Sequence, residues 1–166
     1  LNHLKIVETR DNGLLLDGGQ ALTLFLPAEE VDRDYHSGDS LEVFVFVDAE
    51  GNPAATMRHP LAEMGQVAWL EIIEVNQLGA FADWGLPKDL FIPFAEQQYP
   101  LREGQYTLVK IYLDNQNRLA GSTRIDHWIV DDASDLVQGQ EVTLMIADRT
   151  DMGFKAVINN RSWGLL

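Results

Sequence analysis

The chain has 166 residues, 46% of them hydrophobic, no cysteine, and 12 basic against 26 acidic side chains for a net charge of −14. That length and apolar content suit one ordinary domain or two small barrels with packed cores, and they exclude wholesale disorder. They also exclude a disulfide scaffold, cysteine-ligated zinc, a thiol nucleophile and a generically basic nucleic-acid coat, and no apolar run approaches the ~20 residues of a membrane-spanning helix.

The chain opens on Leu1 to Arg10 without a signal-peptide pattern. It also lacks an initiating Met, so the natural start is expected to lie upstream. An internal repeat organises the rest of the chain. Shifting the sequence by 66 residues places Gly13 on Gly79, Asp17 on Asp83 and Gly19 on Gly85 without a gap. The same shift places Leu24-Phe25-Leu26-Pro27 on Leu90-Phe91-Ile92-Pro93, Gly38 on Gly104, Asp48 on Asp114 and Arg58 on Arg124. The expected domains are 1–62 and 63–128, with 129–166 a linker and the first half of a third repeat.

The first copy is expected to run through five strands, with Asp48-Ala49-Glu50-Gly51-Asn52 as the turn between the last two. In the second copy the same strands fall near Gln66–Asn76, Gly79–Asp83, Lys88–Ile92, Tyr106–Leu113 and Arg118–Arg124. Pro93 stops the third of these because it cannot donate to a sheet ladder. Phe94–Gln98 is a helical turn at most, and Asp114-Asn115-Gln116-Asn117 is a hairpin turn. The third copy starts with Gly139-Gln140 and Gly153, at an offset of 74 from Gly65-Gln66 and Gly79. Half a barrel leaves strand edges unpaired. The tail is expected to dock on the second copy, to swap with a neighbour or to lack order.

Alternation assigns the faces. Val43, Val45 and Val47 match Val109, Ile111 and Leu113 and point inward, whereas Phe44 and Phe46 match Lys110 and Tyr112 and point outward. Leu24, Leu26, Leu90 and Ile92 point inward, so Phe25 and Phe91 point outward. Five short antiparallel strands in about 60 residues, with no long helix, indicate an all-β fold of tandem OB-fold barrels. The Pro-capped turn after the third strand disfavours an SH3-like barrel. Phe81 and Phe91 then share one exposed face, where rings serve as stacking platforms for unpaired bases. Lys88 and Arg124 stand at its rim as candidate phosphate contacts. Packing between tandem barrels is the competing role for such rings.

Gly79-Ala80-Phe81-Ala82-Asp83-Trp84-Gly85, then Leu90-Phe91-Ile92-Pro93 and Ser122-Thr123-Arg124, resembles the S1 RNA-binding domain. Asp83-Trp84-Gly85-Leu86-Pro87-Lys88-Asp89-Leu90, with Ile158-Asn159-Asn160 and Trp163-Gly164-Leu165-Leu166, resembles the bacterial conserved virulence factor B (YitL-like) family over essentially the whole chain. That resemblance implies tandem S1 domains followed by a winged helix, the present chain stopping inside the third S1 domain. It implies a cytoplasmic bacterial protein of post-transcriptional regulation that binds single-stranded RNA, with no cofactor and no enzymatic activity. The implied RNA-binding residues are Phe81, Trp84, Lys88, Phe91 and Arg124 in copy two. In copy one they are Phe25 and Arg58. Copy one departs from the pattern, with Leu15, Gly18 and Leu22 opposite Phe81, Trp84 and Lys88, so copy two is expected to be the better site.

The charge opposes this reading. Residues 1–62 carry 4 basic and 11 acidic side chains, residues 63–128 carry 5 and 9, and residues 129–166 carry 3 and 6. An acidic protein-interaction scaffold for a basic partner is the second reading. Other chemistry is not expected. His3, His36, His59 and His127 lack metal-ligand spacing, Asp48–Asn52 lacks the calcium-loop pattern, and Glu29-Glu30 and Asp131-Asp132 read as solvated surface. No nucleophile elbow and no phosphate-cradling glycine loop is present.

Overall fold

The alternating segments fold as strands in a computed structural model that describes residues 1–48 and 50–166. Ala49, part of the expected 48–52 turn, lies outside the described residues. The chain divides into one unit of Leu1–Pro60 with Gly85–Lys88 and a second of Leu61–Trp84 with Asp89–Leu166.

In the first unit, β1 (Asn2–Arg10), β2 (Gly13–Asp17), β3 (Thr23–Pro27), β4 (Ser40–Val47) and β5 (Pro53–Thr56) form a sheet in the order β3-β2-β1-β4-β5. β3 also lies against β5, which nearly closes the barrel. Leu14, Leu16, Leu24, Leu26 and Val43 fill it, while Leu15 and Phe25 between them stay half-exposed.

The second unit repeats this plan with β6 (Val67–Val75), β7 (Gly79–Asp83), β8 (Leu90–Pro93), β9 (Tyr106–Leu113) and β10 (Leu119–Ser122), ordered β10-β9-β6-β7-β8. Leu70, Ile72, Ala80, Ala82, Leu90, Ile92, Val109 and Ile111 form the interior. Gly121 permits closure: a Cβ there would stand 2.7 Å from Val109 and 2.9 Å from Ile92, so a larger residue would push β10 away from β8. Pro27 and Pro93 end β3 and β8, and each leads into a 3₁₀ turn, Ala28–Glu30 and Phe94–Glu96. The turns after β4 and β9 are also twins. Asp48 Oδ1 accepts the N–H groups of Glu50 and Asn52, and Asp114 Oδ1 those of Gln116 and Arg118. The Arg118 N–H, foremost, holds the Asp114 carboxyl below the usual aspartate range. Val47 and Leu113, expected inside, are exposed, because each is the last residue of its strand.

The C-terminal residues supply β11 (Leu144–Thr150), β12 (Gly153–Ile158) and β13 (Ser162–Leu165), an antiparallel meander. A β-bulge interrupts the first strand of each copy at the same place, between Ile6 and Glu8, Ile72 and Glu74, and Ile146 and Asp148. Of the three expected fates of the tail, docking is the one observed. Val157, Met145, Ala147 and Trp163 pack on Val67, Leu108, Ile125 and Ile129 of the second barrel. Val67 N donates to Asn160 Oδ1 (2.8 Å), and Trp69 Nε1 donates to Ile146 O (3.2 Å).

Lys110 corrects a sequence expectation. It points out of the barrel, yet it is only 9% exposed, because the docked sheet covers it. Its ammonium donates to the carbonyls of Gly65 and Asn160. In barrel one the equivalents of the cross-strand pair Trp69–Leu108 are the polar pair His3–Glu42. Replacing Leu108 with its barrel-one counterpart, Leu108→Glu, should undock the tail at a cost of at least about 2 kcal/mol. Hydrogen exchange should then quicken in β11–β13 while β7–β8 stay protected.

Burial pushes the Lys110 ammonium below its ordinary pKa. The folded chain therefore binds this proton less tightly than the unfolded chain. Stability gains a rising component with pH between the folded value and the ordinary lysine value. Urea denaturation across that alkaline window should show this component in the native sequence and lose it in Lys110→Met.

Candidate nucleic-acid interface

β7 and β8 pair antiparallel, with Phe81 directly opposite Phe91. Their inward neighbours Ala80, Ala82, Leu90 and Ile92 are buried, so alternation turns both rings out. The ring centroids are 5.3 Å apart and the planes tilt by 38°, an attractive offset arrangement. Both residues are half-exposed. Gly79 makes room for this pair. Its φ is +157°, and a Cβ there would lie 2.8 Å from Phe91 Cε2 and 2.5 Å from the Ile92 carbonyl oxygen. In barrel one Gly13 makes the same room for Phe25, which faces Leu15 instead of a second ring.

Arg124, half-exposed, follows β10 and reaches the turn beyond β8. Its Nη1 donates to Ala95 O (3.3 Å), and its Nη2 lies 2.6 Å from His127 Nε2. Ion pairs among the described residues do not include Arg124. Arg58, its counterpart, is exposed. The acidic side of the platform is equally defined. Burial, then the carboxylates of Asp83 and Glu74, push the Asp89 carboxyl above the usual aspartate range. Glu74 sits across from Phe81 in the sheet.

Two of the residues singled out in the sequence lie on neither β7 nor β8. Trp84, directly after β7, is 4% exposed, so its ring offers no stacking surface. Lys88 is exposed, and its ammonium lies 3.5 Å from the Asp48 carbonyl within the first unit. Within the second unit, β7 and β8 carry Phe81 and Phe91 and β10, which ends before Arg124, lies against β8, whereas Trp84 is buried; Lys88 belongs to the first unit.

Residues 1–58 match the S1 domain family. The protein named YitL of Bacillus subtilis (strain 168) is 29% identical over 84% of this chain and 49% of its own length. Conserved virulence factor B of Staphylococcus epidermidis is 25% identical over 73% of this chain and 43% of its own. This chain is a homologue of YitL and conserved virulence factor B. It spans about half the length of these relatives. Among solved structures, a multidomain protein with nucleic acid binding domains from Streptococcus pneumoniae TIGR4 shares the fold. That match has a TM-score of 0.64 at 17% identity and covers 96% of this chain and 58% of the other. The S1 match falls on barrel one, whereas the aromatic pair is on barrel two.

The chain also holds features that sequence reasoning missed. Glu96, in the turn after β8, accepts the Ser122 hydroxyl (2.6 Å), and Ser122 Oγ accepts the N–H of Arg124 (3.2 Å). In barrel one Glu30 accepts the Thr56 hydroxyl and the Met57 N–H, and Thr56 Oγ1 accepts the N–H of Arg58 (3.1 Å). Glu30 is thus a half-buried clasp, not the solvated carboxylate expected. The 66-residue register superposes Glu30 on Glu96 and Thr56 on Ser122, a signal that was available in the sequence. A second ring pair, Tyr112 and Trp128, and a Lys155 ammonium 3.8 Å from the Trp163 ring centroid were also missed. Among the described residues no cluster of His, Asp and Glu could hold a metal ion, and no helix is long and apolar enough to cross a membrane.

The clasp fixes where the strand-five arginine begins. Glu96→Ala should leave the buried Ser122 hydroxyl short of a partner and cost about 1–3 kcal/mol in urea denaturation, with Glu96→Gln losing less.

Proposed function

We propose that this chain binds single-stranded RNA by stacking bases on Phe81 and Phe91 of barrel two, with Arg124 contacting a phosphate. The observation that carries the reading is the outward-facing, mutually packed ring pair on β7–β8. The S1 match and a structural neighbour described as having nucleic acid binding domains support it. Phe25 and Arg58 form a weaker site on barrel one. Trp84, buried directly after β7, offers no ring to a base. The role is that of a non-enzymatic RNA-binding regulator in the bacterial cytoplasm, acting after transcription.

Base–aromatic stacking contributes about 1–3 kcal/mol per base. Fluorescence anisotropy with short unstructured RNA should therefore show at least a tenfold weakening, roughly, in Phe81→Ala with Phe91→Ala. Equal binding by the double variant would remove the rings from the account.

Asp89 sets the pH dependence. Its carboxyl is pushed up, so it becomes neutral at a higher pH than an ordinary aspartate. Neutralising it removes a negative charge from the platform, so RNA affinity should rise as pH falls from neutrality through its titration. Asp89→Asn should bind more tightly at neutral pH and flatten that profile.

The second reading, an acidic scaffold for a basic protein, draws on the Glu74–Asp83–Asp89 cluster and the net charge of −14. Partners that survive nuclease treatment in a pull-down would favour it.

A further inference from the structure

We propose that Tyr112 and Trp128 form a second base-stacking subsite for single-stranded RNA on barrel two, joined to the Phe81–Phe91 platform through Arg124. The inference rests on the proposed RNA binding at that platform and extends its path.

Tyr112 is an outward residue of β9, and Trp128 follows the 3₁₀ turn Ile125–His127. Their ring centroids are 5.0 Å apart with planes tilted by 33°. The backbone that carries Trp128 is pinned on both sides, since Ile125 is 7% and Ile129 3% exposed, and both Trp128 N and Ile129 N donate to Ile125 O at 2.9 Å. Between two buried isoleucines Trp128 remains 37% exposed. A ring needed only to anchor the segment would be redundant beside them. Held against Tyr112 on a fixed turn, it presents a flat surface with little freedom left to lose on binding.

Arg124 ties this pair to the first one. Its guanidinium bonds the Ala95 carbonyl in the turn that continues β8, the strand of Phe91. It also contacts His127, the residue before Trp128. The guanidinium lies 2.6 Å from His127 Nε2. Arg124 meets a carbonyl and an imidazole and is in none of the ion pairs among the described residues, so its positive charge is available to a phosphate lying between the two ring pairs. The nearby carboxylates are already engaged. Glu96 and Asp114 both face Tyr112, but Glu96 accepts from Ser122, and Asp114 pairs with Arg118 at 3.0 Å.

The comparison between copies points the same way. The 66-residue register sets Tyr112 on Phe46 of barrel one and Trp128 on Ala62, which is buried and follows that barrel. The second ring pair is therefore present in the barrel that carries Phe81 opposite Phe91 and absent from the one that carries Leu15 opposite Phe25.

The test uses the whole 166-residue chain. Labelled oligouridylates of about four and about twelve nucleotides bracket what one OB barrel covers. Trp128→Leu should weaken the longer oligonucleotide by about fivefold or more, the low end for one stacked base, and leave the shorter unchanged. Trp128→Phe should restore the longer one's affinity. The longer oligonucleotide should quench tryptophan emission in the native sequence, and Trp128→Phe should lose most of that quenching while still binding. Equal weakening of both lengths, or no change in either, would overturn the subsite and leave the Phe81–Phe91 platform standing. If Trp128→Leu fails to fold, quenching in Trp128→Phe that matches the native chain overturns it instead. If neither oligonucleotide binds the native chain, the RNA-binding reading itself falls.

Discussion

Closing a five-stranded sheet on itself gives every strand one face that must be apolar and one that is available for other work. In the second barrel the interior uses Leu70, Ile72, Ala80, Ala82, Leu90, Ile92, Val109 and Ile111. The period of two then dictates that Phe81, Phe91, Lys110 and Tyr112 point out. The closure is held by Gly121, which admits β10 close to β8, and by Glu96, which fastens the end of β10 to the turn after β8. The same fastening by Glu30 in barrel one shows that it belongs to the barrel plan. It also fixes the backbone of Arg58 and Arg124, so the position of the strand-five arginine follows from how the barrel shuts.

The outer surface of barrel two is divided between two tasks. The β6–β9 side carries Val67, Trp69 and Leu108 and receives the β11–β13 sheet. The β7–β8 side carries the ring pair. Barrel one has the same interior but spends its equivalent of the first side on His3 and Glu42, which lie 3.3 Å apart and largely in solvent. Two barrels of one plan thus differ mainly on their outsides. Electrostatics does not draw a polyanion to barrel two, since Glu74, Asp83 and Asp89 border the rings. Screening over about 8 Å in physiological salt leaves the immediate neighbours to decide the balance. In the proposed RNA site the positive charge comes from Arg124, whose guanidinium meets a carbonyl and an imidazole.

The repeat, the strands and the outward rings were legible because they come from local pattern. Glycines, prolines and alternating apolar residues recur at a fixed shift, and β7 and β9 begin and end where that pattern places them. What escaped depends on groups far apart in sequence. Lys110 reads as an outward lysine and is covered by a sheet that brings Asn160, 50 residues downstream, to its ammonium, a contact no period of two encodes. Trp84 belongs to the motif that resembles the family, yet it is buried. A motif records which residues recur and does not say which way they face. Glu30 and Glu96 look like surface carboxylates until the hydroxyls of Thr56 and Ser122, 26 residues later in each copy, are brought beside them. The 66-residue register contained that pairing, and reading it required asking which polar residues recur together as well as which apolar ones do.

The most direct measurement is residue-resolved NMR of the chain titrated with a short unstructured RNA. The account predicts that amide shifts concentrate on Gly79–Asp83, Leu90–Pro93 and the segment around Arg124, with the Phe81 and Phe91 ring protons moving upfield under stacked bases. Shifts confined to barrel one or to the acidic residues, with those ring protons unmoved, would contradict it.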